Sequence, residues 1–173
     1  MNVNIIKETD DFGIKGYLTI KEINKETHEE FVVIDDNNVV TLEGYSEIFK
    51  RLYNNQDMTG HLDSIQLGSD VGSGTAIEPE PATDSLTSSD QLVTFIVPYN
   101  DINFAFPSQR EMVLSVILDG SFILDGGNVD GEVRYSSATI RFGNDKTLSY
   151  KRFPLRTITP LIDIEISWRL YFT

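Results

Sequence analysis

Hydrophobic positions recur at intervals of three and four along one stretch of the chain and at intervals of two along most of the rest. In TLEGYSEIFKRLY the apolar residues Leu42, Tyr45, Ile48, Phe49, Leu52 and Tyr53 draw one stripe, which predicts an amphipathic helix near residues 41–54. Thr41 can cap its N-terminus, Glu43 sits in the electropositive first turn, and Lys50 and Arg51 sit in the electronegative last turn. Glu47 precedes Arg51 by four residues and, with Glu43, Lys50 and Asn54, lies off the stripe. The helix therefore has a defined start, stop and buried face.

The period of two is cleanest in IDIEISWRLYF. There Ile162, Ile164, Ile166, Trp168, Leu170 and Phe172 share one face, and Asp163, Glu165, Ser167, Arg169 and Tyr171 share the other. This predicts a well-paired strand with Trp168 buried. Residues 14–23 alternate as well and, with VNII at 3–6, predict an N-terminal hairpin within about residues 1–30. FVVIDD reads as a short strand stopped by Asp35, Asp36, Asn37 and Asn38, and 62–68, 92–100, 111–118 and 134–142 read as further strands. Pro98 either ends the strand in 92–100 or places it at an edge, Pro154 and Pro160 bend LSYKRFPL and TITPL, and DINFAFPSQ reads as irregular, anchored by Phe104 and Phe106. About nine short strands predict an all-β fold, mainly an antiparallel β-sandwich of jelly-roll or Ig-like type or a flattened barrel. Residues 69–91 show no apolar period and read as one long loop.

Composition narrows the picture. A chain of 173 residues with 40% apolar content suits a single domain spanning 1–173, able to bury roughly 70% of its unfolded surface. Cysteine is absent and only His28 and His61 offer imidazoles, so disulfides, thiolate sites and a structural zinc are not expected. The N-terminal residues lack a leader pattern and no segment is apolar over the roughly 20 residues a bilayer requires, which reads as a soluble protein made in the cytoplasm. With 27 acidic and 14 basic residues the net charge is −13, which opposes nucleic acid and anionic lipid as partners.

Candidate chemistry is sparse. No GxSxG elbow and no recurrent His motif occurs, GSDVGSG lacks the lysine and following helix of a phosphate loop, and DGGNVDGE misplaces the end carboxylates of a calcium loop. Asp125, Asp130 and Glu132 are the first residues to test for an ion. Twenty-seven acids offer many carboxylate pairs, but none is marked as buried. The reading is a non-enzyme with no cofactor and no metal site. Tyr99, Phe104 and Phe106, in the irregular segment, either plug one end of the sandwich or contact a partner.

One set of ordered features carries a resemblance. NNVVT leads into the helix, a strand closes in Ile65-Gln66-Leu67-Gly68-Ser69, the loop contains Thr83, Asp84 and Leu86, and KRFP precedes Ile166-x-Trp168-x-Leu170-x-Phe172. Over about residues 30–173 this pattern resembles small virion proteins of tailed bacteriophages found in tail, baseplate, neck or fibre-attachment positions. Ser69-Asp70 stands where that family has a Gly-rich pair, and residues 1–30 look like an added hairpin. The resemblance implies a structural subunit located in the virion. Its partners are ring neighbours or further copies of itself and other tail, neck or baseplate proteins. It also implies that the long loop, through Asp70, Pro79, Pro81 and Asp84, lies over a neighbour, the prolines holding the backbone extended. An alternative from another class is a β-module that binds host-surface glycans or a receptor through exposed aromatics.

Overall fold

The computed structural model describes residues 13–53, 61–69, 92–121, 133–143 and 146–172. In chain order these form β1 (Ile14–Asn24), β2 (Glu30–Val40), α1 (Leu42–Tyr53), β3 (Leu62–Ser69), β4 (Leu92–Pro98), a 3-10 turn (Tyr99–Asp101), β5 (Asn103–Ser108), β6 (Glu111–Leu118), β7 (Val133–Phe142), β8 (Thr147–Ile158) and β9 (Ile162–Phe172). The nine strands make one antiparallel ladder in the order β4-β3-β7-β8-β2-β1-β9-β6-β5. It folds into two sheets that share β2, an all-β sandwich with one short helix.

The sharing is uneven. Glu30 to Asn38 of β2 pair with β1, whereas only Val39 and Val40 pair with β8, opposite Tyr150 and Ser149. Beyond that hinge β2 and β8 diverge, and side chains rather than main-chain bonds span the gap. Lys151, itself buried, donates its Nζ to Asp36 at 2.7 Å, and Asn38 Nδ2 donates to the Ser149 hydroxyl.

The core follows the strand alternation. Leu18, Trp168 and Leu114 stand opposite one another on β1, β9 and β6, and each is fully buried. Ile20, Ile166 and Val116 form the next row, and Ile65, Leu67, Ala138 and Ile140 supply the facing sheet. The expected strand at 162–172 is thus present and sits between β1 and β6, with Trp168 at 0% exposure.

Helix α1 lies against β8. Thr41 caps it as expected, its Oγ1 accepting the Gly44 N–H at 2.8 Å and donating to the Thr147 carbonyl. Glu43 accepts the Thr147 N–H at 3.0 Å and holds Lys146, and the Tyr45 hydroxyl both donates to the Ile14 carbonyl and accepts its N–H. Tyr45 and Ile48 pack on the core. Gly44 is required by the close approach: a Cβ there would come within 2.5 Å of the Leu148 carbonyl oxygen. The same closeness corrects one expectation, because Glu47, off the apolar stripe, is nonetheless buried at 7% exposure.

Two further expectations need correction. β2 does not stop at Asp35 but runs through Asp35–Asn38 to Val40, because β1 pairs with these polar residues and the Asp35 carboxylate accepts the Thr19 hydroxyl at 2.7 Å. The segment read as irregular contains β5, paired with β6 through Asn103, Phe104 and Ala105 and interrupted by a register shift before Ser108. The expected irregularity of KRFPL at Pro154 is a register jump within a strand. β8 is continuous, and Phe153, Pro154 and Leu155 are accommodated where the β7 register jumps between Tyr135 opposite Arg156 and Ser137 opposite Arg152. The hairpin that β1 makes is with β2, and its other edge pairs with β9; residues 3–6 lie outside the described residues.

Candidate functional site

Among the described residues, apolar side chains are exposed and charges buried at several places, and two of these bear on function. The first is the end of the sandwich where β2 and β8 have parted. Glu22 continues the inward phase of Leu18 and Ile20 on β1, so strand geometry carries a carboxylate inside, where it is 7% exposed. Three donors meet it. Tyr135 Oη donates to Oε1 at 3.0 Å, Arg156 Nε donates to Oε1 at 3.1 Å, and Arg156 Nη2 donates to Oε2. The guanidinium also lies 4.7 Å above the centroid of the Phe31 ring.

Glu22, Phe31 and Arg156 line a cavity of about 460 Å³ together with Asn24, Glu29, Glu30 and Ile162. Burial, followed by the neighbouring Glu22 carboxylate, pushes the Tyr135 phenol far above its ordinary value, and the hydrogen bonds to Glu22 raise the Arg156 guanidinium. Three of the roughly four acceptor positions of the Glu22 carboxylate are taken by Arg156 and Tyr135. The arrangement is a buried ion pair that ties β1 to β7 and β8.

Around the rim, cations hold turns together. Lys25 Nζ contacts Asp119 and, at 3.3 Å, Asp163, while the Lys25 N–H donates to the Leu161 carbonyl at 2.9 Å. Hydrogen bonds from Lys25 and the Ser121 N–H hold the Asp119 carboxyl below its usual range. Among the described residues no group of three His, Asp or Glu side chains could hold a metal ion.

The second departure is β5 with the turn before it. Five of its six residues are exposed, and Phe104 is the half-buried one. Phe106 is 71% exposed and Tyr99 46%. Phe104 packs on the core and tilts at 38° to Tyr99 with ring centroids 4.9 Å apart, and His61 meets Tyr99 edge-on at 6.2 Å. The two readings of these aromatics are thereby divided between residues: Phe104 plugs, Tyr99 and Phe106 protrude.

Asp70, Pro79, Pro81 and Asp84, and the ion candidates Asp125, Asp130 and Glu132, lie outside the described residues. Reading strands for their apolar phase missed the Glu22, Tyr135 and Arg156 cluster. Its signal was there to find, since an acid on the inward phase of an otherwise apolar face requires a partner. No helix among the described residues is long and apolar enough to cross a membrane. Comparison with models of known protein families found no match, and comparisons with curated proteins and with solved structures found no significant match either.

Proposed function

We propose that this chain is a non-enzymatic structural subunit of a tailed-phage virion, an adaptor or fibre-attachment protein of the tail, baseplate or neck that joins copies of itself and neighbouring virion proteins. The observation that carries the assembly part of this reading is β5, an edge strand with five of six residues exposed, Phe106 among them, preceded by the exposed Tyr99. Covering one such aromatic is worth about 1.5–3 kcal/mol, which gives a partner a reason to sit there. The buried charges support the absence of catalysis, because Glu22 is held by Arg156 and Tyr135 of its own chain. The virion part rests on the ordered pattern running from NNVVT to the tryptophan strand.

The test is a Phe106→Ser, Tyr99→Ser double variant. Both side chains are exposed, so the variant melts like the parent, and it is expected to drop out of assembled particles when supplied in trans. Incorporation at parental copy number overturns the role of β5. A reproducible signal for the parent on a glycan array, removed by Tyr99→Ala, favours the receptor-binding alternative instead.

A further inference from the structure

The ladder has two lateral openings, and they are finished differently. Where β2 and β8 part, Asp36–Lys151 and Glu22–Arg156 bridge the gap, Pro154 stands exposed on β8, and a register shift interrupts β2 near Val33. Charges, prolines and bulges of this kind keep foreign strands off an edge. The other opening lies between β4 and β6. Among the described strands β4 pairs on one side only, with β3, and Val116, Ile117 and Leu118 pair on one side only, with β9, because β5 reaches no further along β6 than Ser115. The groove between them, about 460 Å³, is lined by Ile96, Val97, Pro98, Val116, Ile117 and Leu118. Ile96 and Ile117 are 51% and 68% exposed.

Charge at this groove is one-sided. Among the described residues, Asp101 and Asp119 are its charged lining residues, and no basic one lines it. Lys25 offsets Asp119 but is shared with Asp163, which leaves that corner negative. Every neighbouring pair in the ladder is antiparallel, so β4 and β6, first and eighth in it, run in opposite directions. Asp101, beyond the end of β4, and Asp119, beyond the end of β6, therefore stand at opposite ends of the groove.

We propose that the groove between β4 and β6 takes an extended segment of a partner protein as an added strand, with apolar side chains at alternate positions and a basic residue at each end. Main-chain bonds to the open edge at Val116–Leu118 hold it, the side chains of its outer face lie between Ile96 and Ile117, and its basic ends meet Asp101 and Asp119. A second copy of this chain is a poorer occupant, since each copy carries a net charge of −13 and the groove itself is acidic. The proposal is separate from the role given to β5, which lies on the other half of β6.

A fluorescent seven-residue peptide of alternating valine and threonine with a lysine at each end is the probe, titrated into the full chain and followed by polarisation. Saturable binding is expected, weakened at least tenfold when the end lysines become glutamates, when alternate amides are N-methylated, and in Ile117→Lys. Ile117 is mostly exposed, so that variant folds, as circular dichroism checks, and Ile96→Thr serves as a second probe of the groove. Phe106→Ser leaves peptide binding unchanged, so the groove and the β5 surface stand or fall separately. No saturable binding, or equal binding of the N-methylated peptide, overturns the proposal. Self-association in sedimentation that Ile117→Lys abolishes and the peptide does not compete with also overturns it, and assigns the groove to a second copy.

Discussion

Replacing Glu22 by glutamine keeps the shape of the side chain and removes its charge, which isolates the ion pair from packing. Breaking a fully buried pair by removing one partner costs about 3–5 kcal/mol, because the remaining charge stays desolvated. Here the Glu22 side chain is 9% exposed but that of Arg156 is 33% exposed, so the guanidinium regains some water and the lower end applies. The phenol of Tyr135 still has an amide oxygen to donate to. The expected loss is about 2–3 kcal/mol, equivalent to roughly 4–12 °C in melting temperature for a domain of this size. Urea unfolding read through Trp168, the single tryptophan and fully buried, gives the number directly. The triple variant Glu22→Leu, Tyr135→Phe, Arg156→Leu removes every partner together and is expected to regain most of the loss, since apolar replacements of buried ion pairs are often neutral. A Glu22→Gln protein within about 0.5 kcal/mol of the parent refutes the argument that this carboxylate is desolvated, as about 0.5 kcal/mol is what an ordinary surface change produces.

Four other outcomes are expected. Trp168→Ala should lose about 3–5 kcal/mol, the usual range for a buried large aromatic, and a red-shifted, exposed emission in the native parent would contradict its placement. Gly44→Ala gains up to about 1 kcal/mol in helix propensity but must push the helix off the Leu148 carbonyl, an overpacking worth about 1–3 kcal/mol, so the melting temperature should fall rather than rise. Hydrogen bonds from Lys151 to Asp36 and from Lys25 to Asp119 lower both carboxyls, so their contribution is complete above the unfolded value near 3.8 and disappears as pH falls below it; a melting temperature unchanged from pH 5 down to pH 3 would contradict these pairs. Tyr135, raised by burial, keeps its proton as long as the chain is folded, so above pH 10 its ionisation favours the unfolded state, and absorbance at alkaline pH should report this phenol only with the unfolding transition.

Legibility in the sequence tracked how local the cause was. The helix, its Thr41 cap and the β9 alternation depend on residues a few positions apart, and each appears where the pattern places it. Asp35 to Asn38 and DINFAFPSQ misled because turn-forming residues were weighed alone, while a long neighbouring strand, β1 or β6, can hold such residues extended. Glu47 misled for a related reason: the approach of α1 to β8 through Gly44 buries a second helix face that the apolar stripe does not mark. The Glu22 cluster joins residues 113 and 134 positions apart, and only the inward phase of Glu22 on its own strand hinted at it. Tyr99, Phe104 and Phe106 were recognisable as odd aromatics, but which of them is covered depends on where β5 ends on β6.

The central place of β9 bears on timing. This strand is the last of the nine described in chain order, yet it fills the slot between β1 and β6, pairing the distant Ile14 and Phe172. During synthesis β1 and β6 therefore wait with unsatisfied inner edges until residues near Trp168 leave the ribosome, and the row Leu18, Trp168, Leu114 closes in a single late step. Pairings so distant in sequence slow folding to about the millisecond-to-second range and leave strand edges open meanwhile. A ribosome that stalls before Ile162 holds a chain with every other strand already made and no way to complete this sheet.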